Sequence, residues 1–241
     1  MNSTSIWQDY CILFDMDGVL ISLKARWIDP VEKVIETINP EFDKNKIAQH
    51  APSLLLIHGG RSANIMFKGI LEICRIGGLT KFQTFRVLFK LVFSAFSKSK
   101  WPIIPFESTI EVLQQLNEMG IRLALITSAS KYTLRRMKKQ FPDIHNKFDC
   151  IVTRNDVRYT KPSPDQILIA LKKLDIPNEN SVVVGDFMSD IQAGKSAGTR
   201  TIGVLSEFAE VSQSYIESTN PDLIISSITE IPELLSEIFS V

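Results

Sequence analysis

Residues 11–20 read CILFDMDGVL, an apolar run that ends in two aspartates one residue apart and a glycine. A short apolar run of this kind is typical of a strand buried on both faces of a parallel sheet. Ligands of open α/β sheets bind outside the carboxyl ends of the strands, so Asp15 and Asp17 lie where a site would form. A calcium loop would need glycine and glutamate where this chain has Leu20 and Arg26. From this segment alone, a solvated turn that carries two acidic residues is an alternative interpretation.

Outward from this segment, short apolar runs alternate with helical patterns. Strands are predicted at residues 10–15, 121–127, 148–152, 181–185, 200–204 and 222–226, and helices at about 107–119, 131–140, 164–174, 190–197 and 229–239. This rhythm predicts an α/β fold with a doubly wound parallel sheet. Residues 22–105 are helical in pattern throughout, which predicts a core of residues 1–21 and 106–241 interrupted by a helical domain.

Composition narrows the class of protein. The 241 residues include 27 basic and 27 acidic ones, and a net charge of zero argues against a nucleic-acid partner. The three cysteines are widely spaced, which favours reduced thiols and a cytoplasmic protein. The N-terminus lacks the pattern of a signal peptide. The most apolar stretch, residues 85–96, is too short to span a membrane and carries two cations, so no stable membrane association is expected.

A second strand also ends in carboxylates. Residues 181–190 read SVVVGDFMSD, so Asp186 and Asp190 follow an apolar run at the entrance to a helix. Two acidic strand ends can share one hard cation, and Mg²⁺ prefers carboxylates together with water and phosphate oxygens. Asp190 has two possible roles, in the metal site through water or in stabilising the N-terminus of the helix.

Thr127 and Lys161 add groups that suit a phosphate. Thr127 ends a predicted strand and is followed by Ser128, so a hydroxyl and backbone amides face the same sheet edge, although such residues often serve only as helix caps. Lys161 precedes a predicted helix. Four carboxylates at one edge would repel one another, whereas a divalent cation and one lysine remove about three of the four charges. A dianionic phosphate could then enter.

Four segments together carry a family resemblance: Asp15-x-Asp17-Gly18, Thr127, Lys161-Pro162 and Gly185-Asp186-x-x-x-Asp190. In this order they resemble the four motifs of the haloacid dehalogenase superfamily. The insertion after the first strand resembles the helical cap domain of its phosphoglycolate phosphatase and β-phosphoglucomutase members. The resemblance implies a Rossmann-like core, a cap at residues 22–105, and a Mg²⁺-dependent phosphatase for a small phosphorylated metabolite of the phosphoglycolate or sugar phosphate type.

The same resemblance implies a role for each motif residue. Asp15 would be the nucleophile that forms an aspartyl-phosphate, and Asp17 the general acid and base. Mg²⁺ would be held by Asp15, the Asp17 backbone carbonyl, Asp186 and, through water, Asp190. The resemblance also implies that Gly18, Thr127, Ser128 and Lys161 would bind the phosphate. A dehalogenase is disfavoured, because dehalogenase members lack the second aspartate.

The predicted cap offers weaker signals for the substrate. Arg61, in a Gly-Gly-Arg-Ser segment, could contact a second anionic group of the substrate or be a surface residue. Many capped members carry an acid where this chain has Ser22, which weakens any transfer of substrate identity.

Residues 73–106 contain six basic residues and no acid, with phenylalanines every three or four positions at Phe82, Phe85, Phe89, Phe93 and Phe96. The preferred interpretation is an amphipathic helix that packs its aromatic face inside the cap. The alternatives are an anion-attracting rim over the site and weak attachment to an acidic membrane surface.

Two other functions use similar residues. A phosphomutase would share the core but return the phosphoryl group to its substrate. A non-catalytic receiver-like phospho-acceptor module also groups acids, a hydroxyl and a lysine on a doubly wound sheet, but receivers lack a long insertion after the first strand.

Overall fold

The structure is a computed structural model that describes residues 6–43, 63–96, 102–205 and 207–240. The chain divides into two compact units. The first comprises Met1–Ile21 together with Pro105–Val241, and the second comprises Ser22–Ile104.

The first unit is built on a six-stranded parallel sheet. Its strands are β1 (Cys11–Phe14), β2 (Arg122–Thr127), β3 (Cys150–Thr153), β4 (Ser181–Gly185), β5 (Arg200–Val204) and β6 (Leu223–Ile225). They lie in the order β3-β2-β1-β4-β5-β6, and each neighbouring pair is parallel. The predicted doubly wound α/β fold is confirmed.

The second unit is helical in its described residues. A π-helical turn at Lys24–Ile28 leads into α1 (Asp29–Glu36), followed by α2 (Ala63–Ile76) and α3 (Lys81–Phe96). Both α1 and α2 pack against α3. The prediction that α3 buries its aromatic face inside this unit is wrong, because Phe82, Phe85 and Phe89 are 71%, 64% and 54% exposed. The smaller aliphatic side chains of Val87 and Leu91 are buried instead.

Seven further helices, counted over the described residues, belong to the first unit. They are α4 (Thr109–Glu118), α5 (Lys131–Gln140), α6 (Pro142–His145), α7 (Asp165–Leu174), α8 (Met188–Ala197), α9 (Ala209–Glu217) and α10 (Ile231–Phe239). Ile167 of α7 and Ala193 of α8 join Leu13, Ile126 and Val183 of the sheet in one buried cluster. These contacts fix the helices that follow the strand ends.

Two local expectations are corrected. Helix α9 was not predicted, because serines interrupt its apolar pattern. Helix α7 was predicted to begin at residue 164, but Pro164 precedes its first helical residue and no side chain caps the helix. The Ser163 hydroxyl donates to the Asp165 carboxylate at 2.7 Å.

The second unit is inserted directly after β1. Ile21 pairs with Pro105 in an isolated antiparallel bridge, so the chain leaves and re-enters the first unit at neighbouring positions. The Thr109 hydroxyl donates to the Leu20 carbonyl at 2.8 Å and holds this junction to α4. All three cysteines are free and buried. Among the described helices, none combines the length and the apolar character that crossing a membrane requires.

Candidate active site

The predicted motif residues meet where the strand order of the sheet reverses. From β1 the chain proceeds to β2 and β3 on one side, whereas β4, β5 and β6 lie on the other. In doubly wound folds, the crevice at such a switch point is where ligands bind. Asp15 directly follows β1, and Asp186 directly follows the adjacent β4. The Asp15 amide donates to the Val184 carbonyl at 2.9 Å, which holds these two strand ends together.

Lys161 lies between two of the carboxylates. Its ammonium is 2.5 Å from Asp15 Oδ1 and 2.7 Å from Asp190 Oδ1, and all three side chains are at least nine-tenths buried. Burial alone would lower the pKa of Lys161, but Asp15 and Asp190 together raise it above its ordinary value. The lysine therefore stays charged and joins residues from three separate segments of the chain.

The carboxylates outnumber this one cation. Burial, together with the charges of Asp190 and Asp17, raises the pKa of Asp15 to about 7 against the opposing effect of Lys161. Burial also raises the pKa of Asp186 well above its ordinary range, and the charge of Asp15 adds to this. Within the described residues, Asp186 Oδ1 is buried and has no hydrogen-bond partner. One lysine is therefore too little positive charge to balance the carboxylates of this cluster.

A magnesium ion fits this deficit. Asp15, Asp186 and Asp190 each offer a carboxylate oxygen, and these oxygens lie within 4.8 Å of one another. Opposite ligands of an octahedral magnesium ion are about 4.2 Å apart, because each lies about 2.1 Å from the metal. Hard carboxylate donors at this spacing, one of them without any other partner, are a suitable set for the ion.

Gly18 permits the close approach of the two strand ends. Its φ is +83°, and a Cβ at this position would collide with the carboxylate of Asp186. The preceding Asp17 is half-buried and forms a parallel bridge with Ile21. Gly18 therefore leaves the space that the Asp186 carboxylate occupies.

The Thr127 hydroxyl lies at the end of β2, beside β1. Thr127 is 1% exposed, and its Oγ1 accepts a hydrogen bond from the Ala129 amide at 3.0 Å, which leaves the hydroxyl proton available to a ligand. Ser128 is half-buried in the same turn, and Ser130 caps α5 by accepting from the Thr133 amide. The turn therefore holds the hydroxyl at the carboxyl edge of the sheet, and its contact with phosphate stays a prediction.

The Asp190 carboxylate has one oxygen at the start of α8 and the other in the carboxylate cluster. Its Oδ2 accepts from the Phe187 amide at 3.0 Å, at the start of α8, while its Oδ1 faces Lys161. Arg61 lies outside the described residues.

A family model described as haloacid dehalogenase-like hydrolase matches residues 12–204 of this chain. The chain belongs to this family. The match includes β1 from Ile12 onward and all of β2 through β5, and with them each strand end of the candidate site.

Relatives of this haloacid dehalogenase-like hydrolase match between about half and nearly all of its length. A protein named Pyrophosphatase PpaX from Bacillus cereus (strain ATCC 10987 / NRS 248) is 26% identical over 226 residues, which is 94% of this chain and 96% of the relative. A second PpaX, from Bacillus mycoides (strain KBAB4), is 30% identical over 133 residues, which is 55% of this chain and 60% of that protein. The family and the names of these relatives together show that the chain is a hydrolase of the phosphatase type.

Solved structures share the fold of the hydrolase. A chain from Haemophilus somnus 129PT, named a predicted phosphoglycolate phosphatase, aligns with a TM-score of 0.68 at 19% identity, covering 95% of this chain and 99% of its own. A chain from Thermotoga maritima, provisionally named a β-phosphoglucomutase, aligns with the same TM-score at 22% identity and the same two coverages. At these identities the likeness concerns the fold.

Two residues that position the site of the hydrolase were not predicted from the sequence. Gln166 is fully buried, and its amide nitrogen donates to the carbonyls of Thr127 at 2.9 Å and Val152 at 3.4 Å. Nothing in the helical pattern marks this glutamine as buried. Asp156 accepts from the amide and hydroxyl of Thr153 and pairs with Lys131 at the start of α5. The spacing Thr-x-x-Asp is that of a capping box and was a usable signal.

Replacing Gln166 by methionine is expected to lower the free energy of unfolding by about 1–2 kcal/mol, because two buried carbonyls lose a donor. Urea unfolding followed by circular dichroism measures the change. Gln213→Met is the matched control. Its amide pairs with Glu217 on an exposed helix face, so it should cost no more than about 0.5 kcal/mol. Equal losses at both positions would contradict the positioning role of Gln166.

In EDTA, we expect the free energy of unfolding to fall as the pH rises from about 4 to about 7. An aspartate whose pKa is raised by folding binds its proton more tightly in the folded state, so stability declines between the unfolded value of 3.8 and the folded value of about 7 for Asp15. Asp186 acts in the same direction. Mg²⁺ should remove the decline, because it binds the ionised carboxylates.

Urea unfolding at a series of pH values, with EDTA or with MgCl₂, tests this pH dependence. The Asp15→Asn variant serves as the control and should show a shallower decline in EDTA. A wild-type stability that is flat or rises across this window in EDTA, with no difference from the variant, would rule out the pKa shift.

Proposed function

We propose that this protein is a Mg²⁺-dependent phosphomonoester hydrolase that acts on a small phosphorylated metabolite through an aspartyl-phosphate. The observation that supports it most directly is the position of the Lys161 ammonium between Asp15 and Asp190, with the Asp186 carboxylate on the adjacent strand end. Phosphoryl transfer depends mainly on positioning and on neutralising charge, and this cluster supplies groups for both.

The proposed reaction has two steps. An Asp15 oxygen attacks the phosphorus, the bond to the leaving oxygen breaks, and Asp17 donates a proton to that oxygen. Asp17 then takes a proton from a water molecule whose oxygen attacks the phosphorus of the aspartyl-phosphate. The bond between phosphorus and Asp15 breaks, which releases inorganic phosphate and restores the Asp15 carboxylate and the protonated Asp17.

The remaining groups would hold the cation and the phosphate. Asp15, Asp186, Asp190 and the Asp17 backbone carbonyl are the proposed magnesium ligands, Asp190 through water. When bound, the ion would neutralise negative charge on the phosphate and the nucleophile. Lys161, the Thr127 hydroxyl and the Ser128 amide would contact the phosphate oxygens, and Gly18 leaves them room.

The substrate class is proposed from the motifs and the relatives and not from the geometry of the site. Phosphoglycolate and sugar phosphates are proposed from the resemblance of the motifs and the inserted helical unit. Pyrophosphate is a second candidate, because the relatives that cover 94% of the chain are named pyrophosphatases. Arg61 is proposed as a contact to a second anionic group. Ser22, which replaces the acid of many capped members, accepts from the Ala25 amide at 2.9 Å and caps the first turn of the second unit.

A screen for phosphate release tests the proposal. The purified protein would be incubated with an aryl phosphate, phosphoglycolate, hexose phosphates and pyrophosphate, with MgCl₂ or with EDTA. Release from at least one of them that stops in EDTA and returns with Mg²⁺ is expected. Release that persists in EDTA would overturn the metal dependence, and a requirement for a bisphosphate activator with little net release would favour the phosphomutase.

A further inference from the structure

Helix α3 carries an exposed apolar strip that no part of the proposed phosphatase reaction uses. The strip, called the aromatic ridge, consists of Phe82, Phe85, Phe89 and Val92, which are 71%, 64%, 54% and 52% exposed. Their spacing of three, four and three residues places them on one helix face, and the rings of Phe85 and Phe89 stack with centroids 6.4 Å apart. The side chains of Phe93 and Phe96 lie outside the described part of the chain.

The opposite face of the same helix is the one that is buried in the second unit. Val87 and Leu91 are 0% and 5% exposed and lie about half a helical turn away from the aromatic ridge. An ordinary surface helix is polar on the side that faces away from its buried stripe. Helix α3 is apolar on both sides, so the aromatic ridge is not explained by the folding of this unit.

Cations border the aromatic ridge on both sides. At 100° per residue, Lys81 falls on one edge of the aromatic ridge and Arg86 on the other, and both are exposed. Lys90 lies beyond Arg86 and donates to the Thr37 hydroxyl at 2.9 Å. No aspartate or glutamate occurs between residues 73 and 106. The partner of this surface is therefore expected to be apolar in the middle and anionic around it.

A second copy of the chain matches these properties poorly. At about 200 Å² per ring, the three exposed phenylalanines offer roughly 400 Å² of apolar surface, against about 800 Å² per partner in a standard protein interface. A two-fold dimer through the same patch would also bring each cation close to like charges of the partner.

We propose that the aromatic ridge docks this protein reversibly on an anionic lipid surface. A bilayer interface accepts the phenylalanine rings at the level of the acyl chains and presents negative headgroups to the flanking cations. A single short helix face gives weak attachment that depends on salt, which agrees with the expectation from the sequence that no stable membrane association forms.

Sedimentation with vesicles tests the docking. The full-length protein is expected to bind vesicles of phosphatidylcholine mixed with phosphatidylglycerol at low salt, and to bind pure phosphatidylcholine vesicles at least about tenfold more weakly. Replacing Phe82 and Phe85 together by serine should lower the partition coefficient at least about tenfold. Lys81→Gln combined with Arg86→Gln should lower it several-fold and reduce the salt dependence.

Matched controls come from the first unit. Leu168→Ser removes an exposed apolar side chain, 41% exposed on α7, and Lys138→Gln with Lys139→Gln removes two exposed cations from α5. Neither should change vesicle binding. All variants should keep wild-type hydrolysis of a soluble aryl phosphate, a readout that separates failure of the docking from failure of the proposed function.

Three results would overturn the docking. The first is no wild-type binding to anionic vesicles at low salt, and the second is binding that the ridge substitutions do not change. The third is a dimer in sedimentation velocity that the ridge substitutions dissociate while the vesicles stay unbound, which would assign the aromatic ridge to a second copy.

Discussion

Replacing Asp15 by asparagine is expected to lower the hydrolysis of an aryl phosphate by at least about 10³-fold, because the amide cannot form the acyl-phosphate bond. Folding should not suffer. The raised pKa of Asp15 means that its ionised form is disfavoured in the folded protein, so a neutral side chain of the same shape is tolerated. Steady-state kinetics and urea unfolding at pH 8 in EDTA would measure the two effects separately.

Asp143→Asn is the matched control for this variant. Asp143 is exposed on the short helix α6, away from the strand ends, and its substitution should leave both activity and stability unchanged. Mass spectrometry after acid quenching should detect one added phosphoryl group in the wild type and none in Asp15→Asn. If the variant keeps more than about a tenth of the wild-type rate, Asp15 is not the nucleophile.

Replacing Gly18 by alanine is expected to lower kcat/KM by about 10²-fold and to weaken the stabilisation by Mg²⁺. The new Cβ would collide with the Asp186 carboxylate, which must move away from the other carboxylates. A displacement of about 1 Å in a positioned group can lower a rate by about 10²-fold. Rates as a function of MgCl₂ concentration, together with the shift of Tm on adding Mg²⁺, measure both losses.

Gly198→Ala separates this steric effect from backbone strain. Gly198 ends α8 with a φ of +74°, and the nearest neighbour of a Cβ there would be Asn178 Nδ2 at 4.0 Å. Both alanine variants should lose about 1 kcal/mol of stability from the left-handed backbone. Only Gly18→Ala should lose activity and Mg²⁺ response, and equal activity in the two variants would show that the approach of Asp186 is not needed.

The strand ends could be predicted because local sequence marks them. The bounds of β4 and β5 agree with the prediction residue for residue, since their apolar runs are bounded sharply at Ser181 and Gly185, and at Arg200. The prediction extended β1 and β6 by a residue at each end, and the added residues, Tyr10, Asp15, Asp222 and Ser226, lie just outside the strands. The carboxylates that follow β1 and β4 were then brought together by the parallel topology alone.

Contacts between distant segments could not be predicted in the same way. Lys161 and Asp15 are 146 positions apart in the chain, and only the packed structure shows that their charged atoms meet. Gln166 lies on a helix face whose burial depends on how α7 packs against the sheet. For α3, the spacing of the phenylalanines predicts a helix face but not the side of the unit that it occupies. Val87 and Leu91 take the inner side.

The bridge between Ile21 and Pro105 has a consequence for how this chain tolerates change. For the first unit, everything between these two residues is one closed loop, and the entropy of closing a loop grows only with the logarithm of its length. Doubling the inserted segment would therefore cost only about 0.6 kcal/mol. Insertions, deletions or an exchange of the whole helical segment leave Asp15 and Asp186 on the same two neighbouring strands, so the sheet and the inserted segment can diverge independently.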